Sequence, residues 1–222
     1  MSIGPAEIIV VLAILGIVPA PASAQSEAYV TNQPGDSLSV VDLATLRVKA
    51  EIKIGGKPII WHLLTIFSHY GVNDFVLCLG YLGDEIREYF ADNTNGWNIE
   101  FVDTGLDTNT GGRLKRVEHL LKENRSFFVT YGDGLADVDV SALRSFHAEH
   151  GKVATVTAVH PYSPFGLVDI ESDGTIRRFR EKPLLDDWIN GGFFVFDHEI
   201  FEHLTDDCVL ERKPFETLSG KG

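Results

Sequence analysis

The stretch Pro58-Ile59-Ile60-Trp61-His62-Leu63-Leu64-Thr65-Ile66-Phe67-Ser68-His69-Tyr70-Gly71-Val72-Asn73-Asp74-Phe75-Val76-Leu77-Cys78-Leu79 changes its hydrophobic period half-way along. In the first half Ile59, Ile60, Leu63, Leu64, Phe67 and Tyr70 fall on one helical face, with Pro58 at the start and Gly71 just past the end. In the second half the period vanishes, and residues 74–79 form a short continuous apolar run, as in a strand buried on both faces. Cys78 lies inside that run and reads as a buried thiol. The alternation continues downstream. Helices are expected over 84–90, 112–122, 141–150 and from 197 through Leu204, and strands over 98–102, 126–131, 153–159 and 189–196. Residues 166–170 and 175–180 read as a hairpin turning at Asp173-Gly174. Strand–helix alternation of this kind predicts an α/β fold with a doubly wound, mostly parallel sheet. Residues 58–204 are expected to form one compact layer.

In such sheets ligands bind outside the carboxyl ends of the strands. Three motifs stand at such ends. Thr110-Gly111-Gly112-Arg113-Leu114-Lys115-Arg116 leads a glycine pair into a helix, where close backbone approach and unpaired N–H groups suit an anion or a polar base edge. The plain structural alternative is a turn. Tyr131-Gly132-Asp133-Gly134 places an aspartate between glycines after an apolar strand. A magnesium ion shared with substrate phosphates would neutralise it; a turn aspartate bonding its own backbone is the alternative. Phe179-Arg180-Glu181-Lys182-Pro183 and Ile189-Asn190-Gly191-Gly192-Phe193 form the third. Glu181 and Asn190 suit sugar hydroxyls and Lys182 suits a phosphate. A surface ion pair and a bulged strand would explain the same residues.

Charge narrows the partners. The chain has 222 residues and a formal net charge of -13, from 19 Lys+Arg and 32 Asp+Glu. Nucleic-acid backbones and anionic membranes would be repelled. Small phosphorylated ligands are not excluded, because Arg113, Lys115, Arg116 and then Arg177, Arg178, Arg180, Lys182 concentrate positive charge in two segments. Solvated helix or strand faces are the plain alternative for both. The 2 cysteines set no disulfide or zinc framework. His147 and His150, without further ligand spacing, read as a solvated helix face rather than a metal site.

The N-terminal part has a different character. Residues 8–18 are apolar but too short for a membrane span. Pro19, Pro21 and Ala22-Ser23-Ala24 follow, as in a secretory signal cleaved before Gln25, although the basic n-region is absent and Glu7 is present. The rival reading makes 7–16 a buried strand. Residues 28–32, 37–42 and 48–54 read as short strands around the turn Pro34-Gly35-Asp36. Through Tyr29-Val30-Thr31-Asn32 and the Val40-Val41-Asp42 step, 25–53 resembles a single YVTN-type β-propeller repeat, which one blade alone cannot stabilise.

The remaining motifs occur in a telling order. Ile54-Gly55-Gly56-Lys57-Pro58, Ser68-His69-Tyr70-Gly71, Thr110 to Arg116, Tyr131 to Gly134, Glu181-Lys182-Pro183 and Asn190-Gly191-Gly192-Phe193-Phe194 resemble the sugar-1-phosphate nucleotidyltransferases, in their glucose-1-phosphate cytidylyltransferase branch. The resemblance covers 54–222. It implies a Rossmann-like nucleotidyltransferase fold and a reaction in which a sugar-1-phosphate attacks the α-phosphorus of a nucleoside triphosphate, CTP by this branch, releasing pyrophosphate. It implies that Asp133 holds Mg2+, that Lys182 contacts the sugar phosphate, that Glu181, Asn190 and Gly191 face the sugar, and that Gly111, Gly112 and Arg113 face the nucleotide. It implies a cytoplasmic enzyme, with export through 1–24 as the alternative, and leaves self-association open.

Set against the family pattern, the sequence departs in two places. Nothing before Ile54 matches a Gly-Gly-x-Gly-Thr-Arg triphosphate loop, and the region of a second magnesium aspartate is not reached by Gly222. The expectation is therefore a domain lacking the family's first strand and C-terminal part, with impaired turnover, or a chimeric remnant that binds sugar phosphate at most. Residues 7–16 are expected either to fill the first-strand position or to be poorly integrated.

Overall fold

The computed structural model describes residues 8–12, 27–32, 37–42, 47–53 and 56–221. Their elements run β1 (Ile8–Leu12), β2 (Glu27–Asn32), β3 (Ser37–Asp42), β4 (Arg47–Lys53), α1 (Ile59–His69), β5 (Asp74–Leu79), α2 (Gly83–Ala91) and β6 (Asn98–Asp103). Then come α3 (Thr110–Arg116), β7 (Ser126–Tyr131), α4 (Val140–His150), β8 (Ala154–Val159), β9 (Leu167–Ile170), β10 (Ile176–Arg180), β11 (Ile189–Asp197) and α5 (Lys213–Ser219). The 3-10 turns Glu118–Leu120 and His198–His203 stand where longer helices were expected. At the first, the Val117 N–H bonds back to Leu114 O, three residues away rather than four, which tightens the helix end.

A six-stranded sheet has the order β6-β5-β1-β7-β11-β8. β1 pairs in parallel with β5 on one side and β7 on the other, so Ile8–Leu12 takes the central position. β5 and β6 are also parallel. Of the two fates expected for 7–16, the filled first-strand position is the one observed for 8–12; the rest of the signal-like segment lies outside the described residues. β2, β3 and β4 form a separate antiparallel three-stranded sheet.

The chain divides into two compact units rather than the single layer expected for 58–204. One unit comprises Met1–Thr155 and Phe194–Gly222, the other Val156–Phe193.

Sheet faces explain the first unit's core. In β7, Phe127 stacks on Phe201 at 5.6 Å, while the next residue, Phe128, meets Phe67 of α1 at 5.5 Å. Successive strand residues thus serve opposite layers, as the period of two requires. On the Phe127 side Val76, Cys78, Leu114, Phe194, Phe196 and Leu210 complete one buried cluster. α1 buries Leu63, Leu64 and Phe67, each contributing roughly 1.5–3 kcal/mol by removal from water. Pro58 precedes α1 in extended geometry, and Gly71 follows it with φ of 87°. That left-handed turn is easy only for glycine, so the helix ends there.

Candidate active site

Within the first unit, the motif glycines and Asp133 stand at the carboxyl end of the parallel strands. β6 leads through 104–109 into α3, and β7 ends at Tyr131, two residues before Asp133. A groove of about 370 Å³ opens beside the ends of β5 and β6, lined in part by Leu79, Gly80, Gly83, Asp84 and Asp103. A larger groove, of about 720 Å³, lies instead between α1 and residues 135–138; it is lined by His69 and Tyr70 but by none of the candidate site residues.

The α3 motif is turned inward. The N–H groups of Gly111 and Gly112 both donate to Cys208 O, at 2.8 and 3.1 Å. A Cβ at Gly111 would lie 2.5 Å from Cys208 Sγ, and one at Gly112 would lie 2.7 Å from Asp206 O. These glycines allow the protein's own 206–210 segment to approach, where the sequence suggested a ligand. Arg113 is 6% exposed, and its guanidinium donates to Leu79 O (3.0 Å), Thr104 Oγ1 (2.8 Å) and Leu106 O (3.1 Å). Burial lowers its pKa, with the Cys78 thiol acting in the opposite direction. Lys115 donates to Phe201 O and pairs with Glu118, and Arg116 donates to Thr104 O. Arg113 and Arg116 therefore brace the carboxyl ends of β5 and β6 and the loop after them, while Lys115 ties α3 to the 198–203 turn.

Sequence reasoning missed the residues that hold this motif. Glu211 accepts from the Thr110 hydroxyl at 2.8 Å and from the Tyr131 hydroxyl, tying the start of α3 to the end of β7. Asp207 accepts from the backbone and side-chain amides of Asn109 at 2.9 and 3.1 Å, which holds its carboxyl below the usual range. These partners are about a hundred residues apart, and no local pattern in the chain signals them.

Asp133 is half-buried. Burial raises its carboxyl above the ordinary aspartate range, and a bond from its own backbone N–H opposes that shift. It has no side-chain partner among the described residues. Nor do those residues contain a group of three or more His, Cys, Asp or Glu able to hold a metal. A single carboxylate is enough for magnesium when substrate phosphates and water complete the shell, so the donor chemistry fits that ion in this limited form.

The second unit carries the other motif. Lys182 follows β10, exposed, with φ of 43°. A left-handed lysine immediately before a proline is strained, and such strain gathers at functional positions. Glu181 is exposed, with its Oε2 3.0 Å from where a Cβ on Gly166 would sit. Asn190 Oδ1 accepts from the Gly192 N–H at 2.9 Å, and Gly192 has φ of 79°. Gly191 is small because Thr157 O stands 3.0 Å from the site of its missing Cβ. Thus Glu181 and Lys182 share one turn, and Asn190 and Gly191 share the start of β11.

Two side observations differ in outcome. Cys78 is fully buried, as expected, and desolvation pushes its thiol up to about 12. His147, expected on a solvated face, is 4% exposed, with Nδ1 2.8 Å from Thr155 Oγ1 and Nε2 3.2 Å from Asp197 Oδ1. It satisfies buried polar groups rather than water.

A family model described as "Nucleotidyl transferase" matches residues 37–218. The chain belongs to this family. Among nucleotidyl transferases it is 40% identical over 201 residues to the glucose-1-phosphate cytidylyltransferase of Salmonella typhi, covering 80% of this chain and 78% of that one. It is 39% identical over 192 residues to the probable glucose-1-phosphate cytidylyltransferase of Bacillus subtilis, covering 76% and 75%. The solved structure of HddC from Yersinia pseudotuberculosis, complexed with GMP-PN, superposes with a TM-score of 0.60 at 19% identity, over 93% of this chain and 84% of that one. That likeness bears on the fold alone, and it agrees with the α/β nucleotidyltransferase architecture. Among the described residues no helix is long and apolar enough to cross a membrane.

Proposed function

We propose that this nucleotidyltransferase joins the nucleotidyl group of CTP to glucose-1-phosphate and releases pyrophosphate, in the cytoplasm. The identity to the Salmonella cytidylyltransferase supports the choice of substrates. The observation that carries the chemistry is Asp133: a half-buried carboxylate without a side-chain partner, at the carboxyl end of β7. Asp133 would hold Mg2+, which supplies charge neutralisation at the phosphates when bound. The attacking group is a phosphate oxygen of the sugar phosphate, already an anion, so no protein base is required. It bonds to the α-phosphorus as the bond to pyrophosphate breaks, and positioning dominates the rate. In the same reading Lys182 holds the sugar phosphate as a point charge, and Glu181, Asn190 and Gly191 receive the sugar. Gly111, Gly112 and Arg113 act on the nucleotide indirectly, by fixing the shape of the α3 start.

Turnover is impaired in this reading. No stretch between β1 and α1 contains the Gly-Gly-x-Gly-Thr-Arg pattern, and loss of one preorganised donor costs about a hundred-fold or more. A second reading, binding of sugar phosphate without transfer, is favoured by one observation. The Gly111 and Gly112 N–H groups and the Arg113 guanidinium are already spent on protein acceptors.

One experiment separates the two. Purified chain is given CTP, glucose-1-phosphate and magnesium, and pyrophosphate is followed. A slow, magnesium-dependent release well below roughly one per second supports transfer. Calorimetric binding of glucose-1-phosphate with no release supports the binder. Release at one per second or faster would overturn the impairment, and neither release nor binding would overturn both readings.

A further inference from the structure

One carboxylate joins the two ends of the candidate site in the first unit. Glu211 Oε2 accepts from the Thr110 hydroxyl at 2.8 Å, and Oε1 accepts from the Tyr131 hydroxyl. Thr110 is the first residue of α3, immediately before Gly111 and Gly112. Tyr131 is the last residue of β7, two before Asp133. The Thr110 hydroxyl is used twice, since it also accepts from the Leu210 N–H at 2.9 Å. Residues 207–211 therefore grip the α3 start through Asn109, Thr110, Gly111 and Gly112, and Glu211 carries that grip on to β7. Two hydroxyl donors meet two acceptor oxygens here, a role that a carboxylate fills and an amide does not.

The backbone around Asp133 has little of its own to fix it. Asp133 lies between Gly132 and Gly134, and glycine constrains a chain least. A Cβ on Gly134 would meet nothing within 4 Å, so packing does not hold the loop on that side. The last anchored residue before Asp133 is Tyr131. Its ring meets Phe194 edge-on at 5.5 Å, and its hydroxyl is held by Glu211. A ring contact limits where the side chain lies, whereas a hydrogen bond to a carboxylate also fixes its direction and reach.

We propose that Glu211 is a positioning residue for nucleotidyl transfer, setting Asp133 at a fixed separation from the start of α3. This rests on the reading in which Asp133 holds Mg2+ and α3 shapes the nucleotide site. Glu211 touches neither ligand; it acts through Tyr131 on one side and Thr110 on the other. A triphosphate bound with its metal engages both ends at once. The benefit of holding the ends at one separation therefore appears only when nucleotide and metal are bound together, as less ordering left to do on binding. Such a coupling is reciprocal. Through Glu211, magnesium tightens the hold on CTP, and CTP tightens the hold on magnesium by the same factor.

Calorimetric titration of the full chain with CTP, once in EDTA and once in magnesium chloride, tests this. The parent should bind CTP about tenfold or more tightly in magnesium. Tyr131→Phe removes one oxygen and keeps the ring against Phe194. It should leave the affinity in EDTA within about twofold of the parent and cut the magnesium enhancement to about threefold or less. Glu211→Gln should cut the enhancement likewise, because its amide nitrogen cannot accept from a hydroxyl. The two changes together should cut it no further than either alone, since both break the same bond. Should Glu211→Gln fail to fold, Tyr131→Phe decides by itself. A Glu211 that merely stabilises the fold would give a lower urea midpoint with the magnesium enhancement intact, or an equal loss of affinity in both media. Either result overturns the proposal, as does a Tyr131→Phe chain that binds like the parent. A parent that binds no CTP, or gains nothing from magnesium, overturns the reading of Asp133 as the magnesium holder and the proposal with it.

Discussion

The carbonyl oxygen of Cys208 lies 2.8 Å from the amide nitrogen of Gly111 and 3.1 Å from that of Gly112, across a hundred residues of chain. A side chain at either glycine would collide with the segment that makes this contact. At Gly112 the obstacle is backbone, Asp206 O at 2.7 Å and Asp207 Cα at 2.9 Å. Gly112→Ala should therefore destabilise the protein by about 1–3 kcal/mol, measured as a lower urea midpoint with unchanged slope. A Gly112→Ala variant as stable as the parent would mean that 206–210 does not pack here.

Arg113 is predicted to matter for the fold before it matters for a nucleotide. Arg113→Met keeps the stem and removes the donors. Leu79 O retains the Thr104 N–H and hydroxyl, and Leu106 is exposed, so its carbonyl can turn to water; the buried Thr104 Oγ1 loses its donor. One under-satisfied buried acceptor costs about 1–3 kcal/mol, and a loss of that size is expected by urea denaturation. Arg113→Lys should recover only part of it, because one ammonium cannot reproduce the planar fork. Full stability in the methionine variant, with nucleotide binding abolished, would show a ligand-facing role instead.

Asp133 makes a pH prediction with a definite sign. Its folded pKa is raised above the unfolded value of about 3.9. The folded chain thus holds this proton more tightly than the unfolded chain. The group's contribution favours folding at low pH and is lost as pH rises through the folded pKa. Without magnesium, Asp133→Asn should raise the melting temperature at pH 7 and flatten the pH dependence above about 4. Adding magnesium and CTP should stabilise the parent and not the variant. A variant that melts lower at pH 7 would contradict the desolvated-carboxylate account.

Lys182 separates strain from binding. At φ of 43° a glycine is more comfortable than a lysine. Lys182→Gly should match or exceed the parent in stability, by up to about 1 kcal/mol, whereas Lys182→Ala keeps the strain. Both should lose glucose-1-phosphate binding by calorimetry. Retained binding in either variant removes Lys182 from the sugar-phosphate site.

What the sequence made legible was local. The apolar face of 59–70, the run 74–79 and the turns at Gly71 and Asp173-Gly174 depend on neighbours in the chain, and the elements appear where those neighbours place them. The α3 motif was only half legible. Its glycines announced a close approach, but nothing nearby said that the approaching group was Cys208 O rather than a ligand. Glu211 bridging Thr110 and Tyr131 was invisible for the same reason, since such pairs are set by how strands stack in space. His147 was misplaced because two histidines three residues apart look polar until Thr155 and Asp197 are seen to receive one of them. The register shift between Ile176 and Arg178 in the β9–β10 hairpin is another instance. A strict period of two puts Ile176 and Phe179 on opposite faces, and one extra residue reverses that.

β1 sits between β5 and β7, so the sheet's middle is supplied by residues 8–12, more than sixty positions before one neighbour and more than a hundred before the other. Two halves, β6-β5 and β7-β11-β8, are joined by one five-residue strand. A signal peptidase cutting before Gln25 would take that strand away. Export by cleavage and possession of this sheet are therefore mutually exclusive fates for a single molecule. The same arithmetic makes the sheet slow to assemble, because its keystone must be recruited over a long loop before either half gains an inner edge.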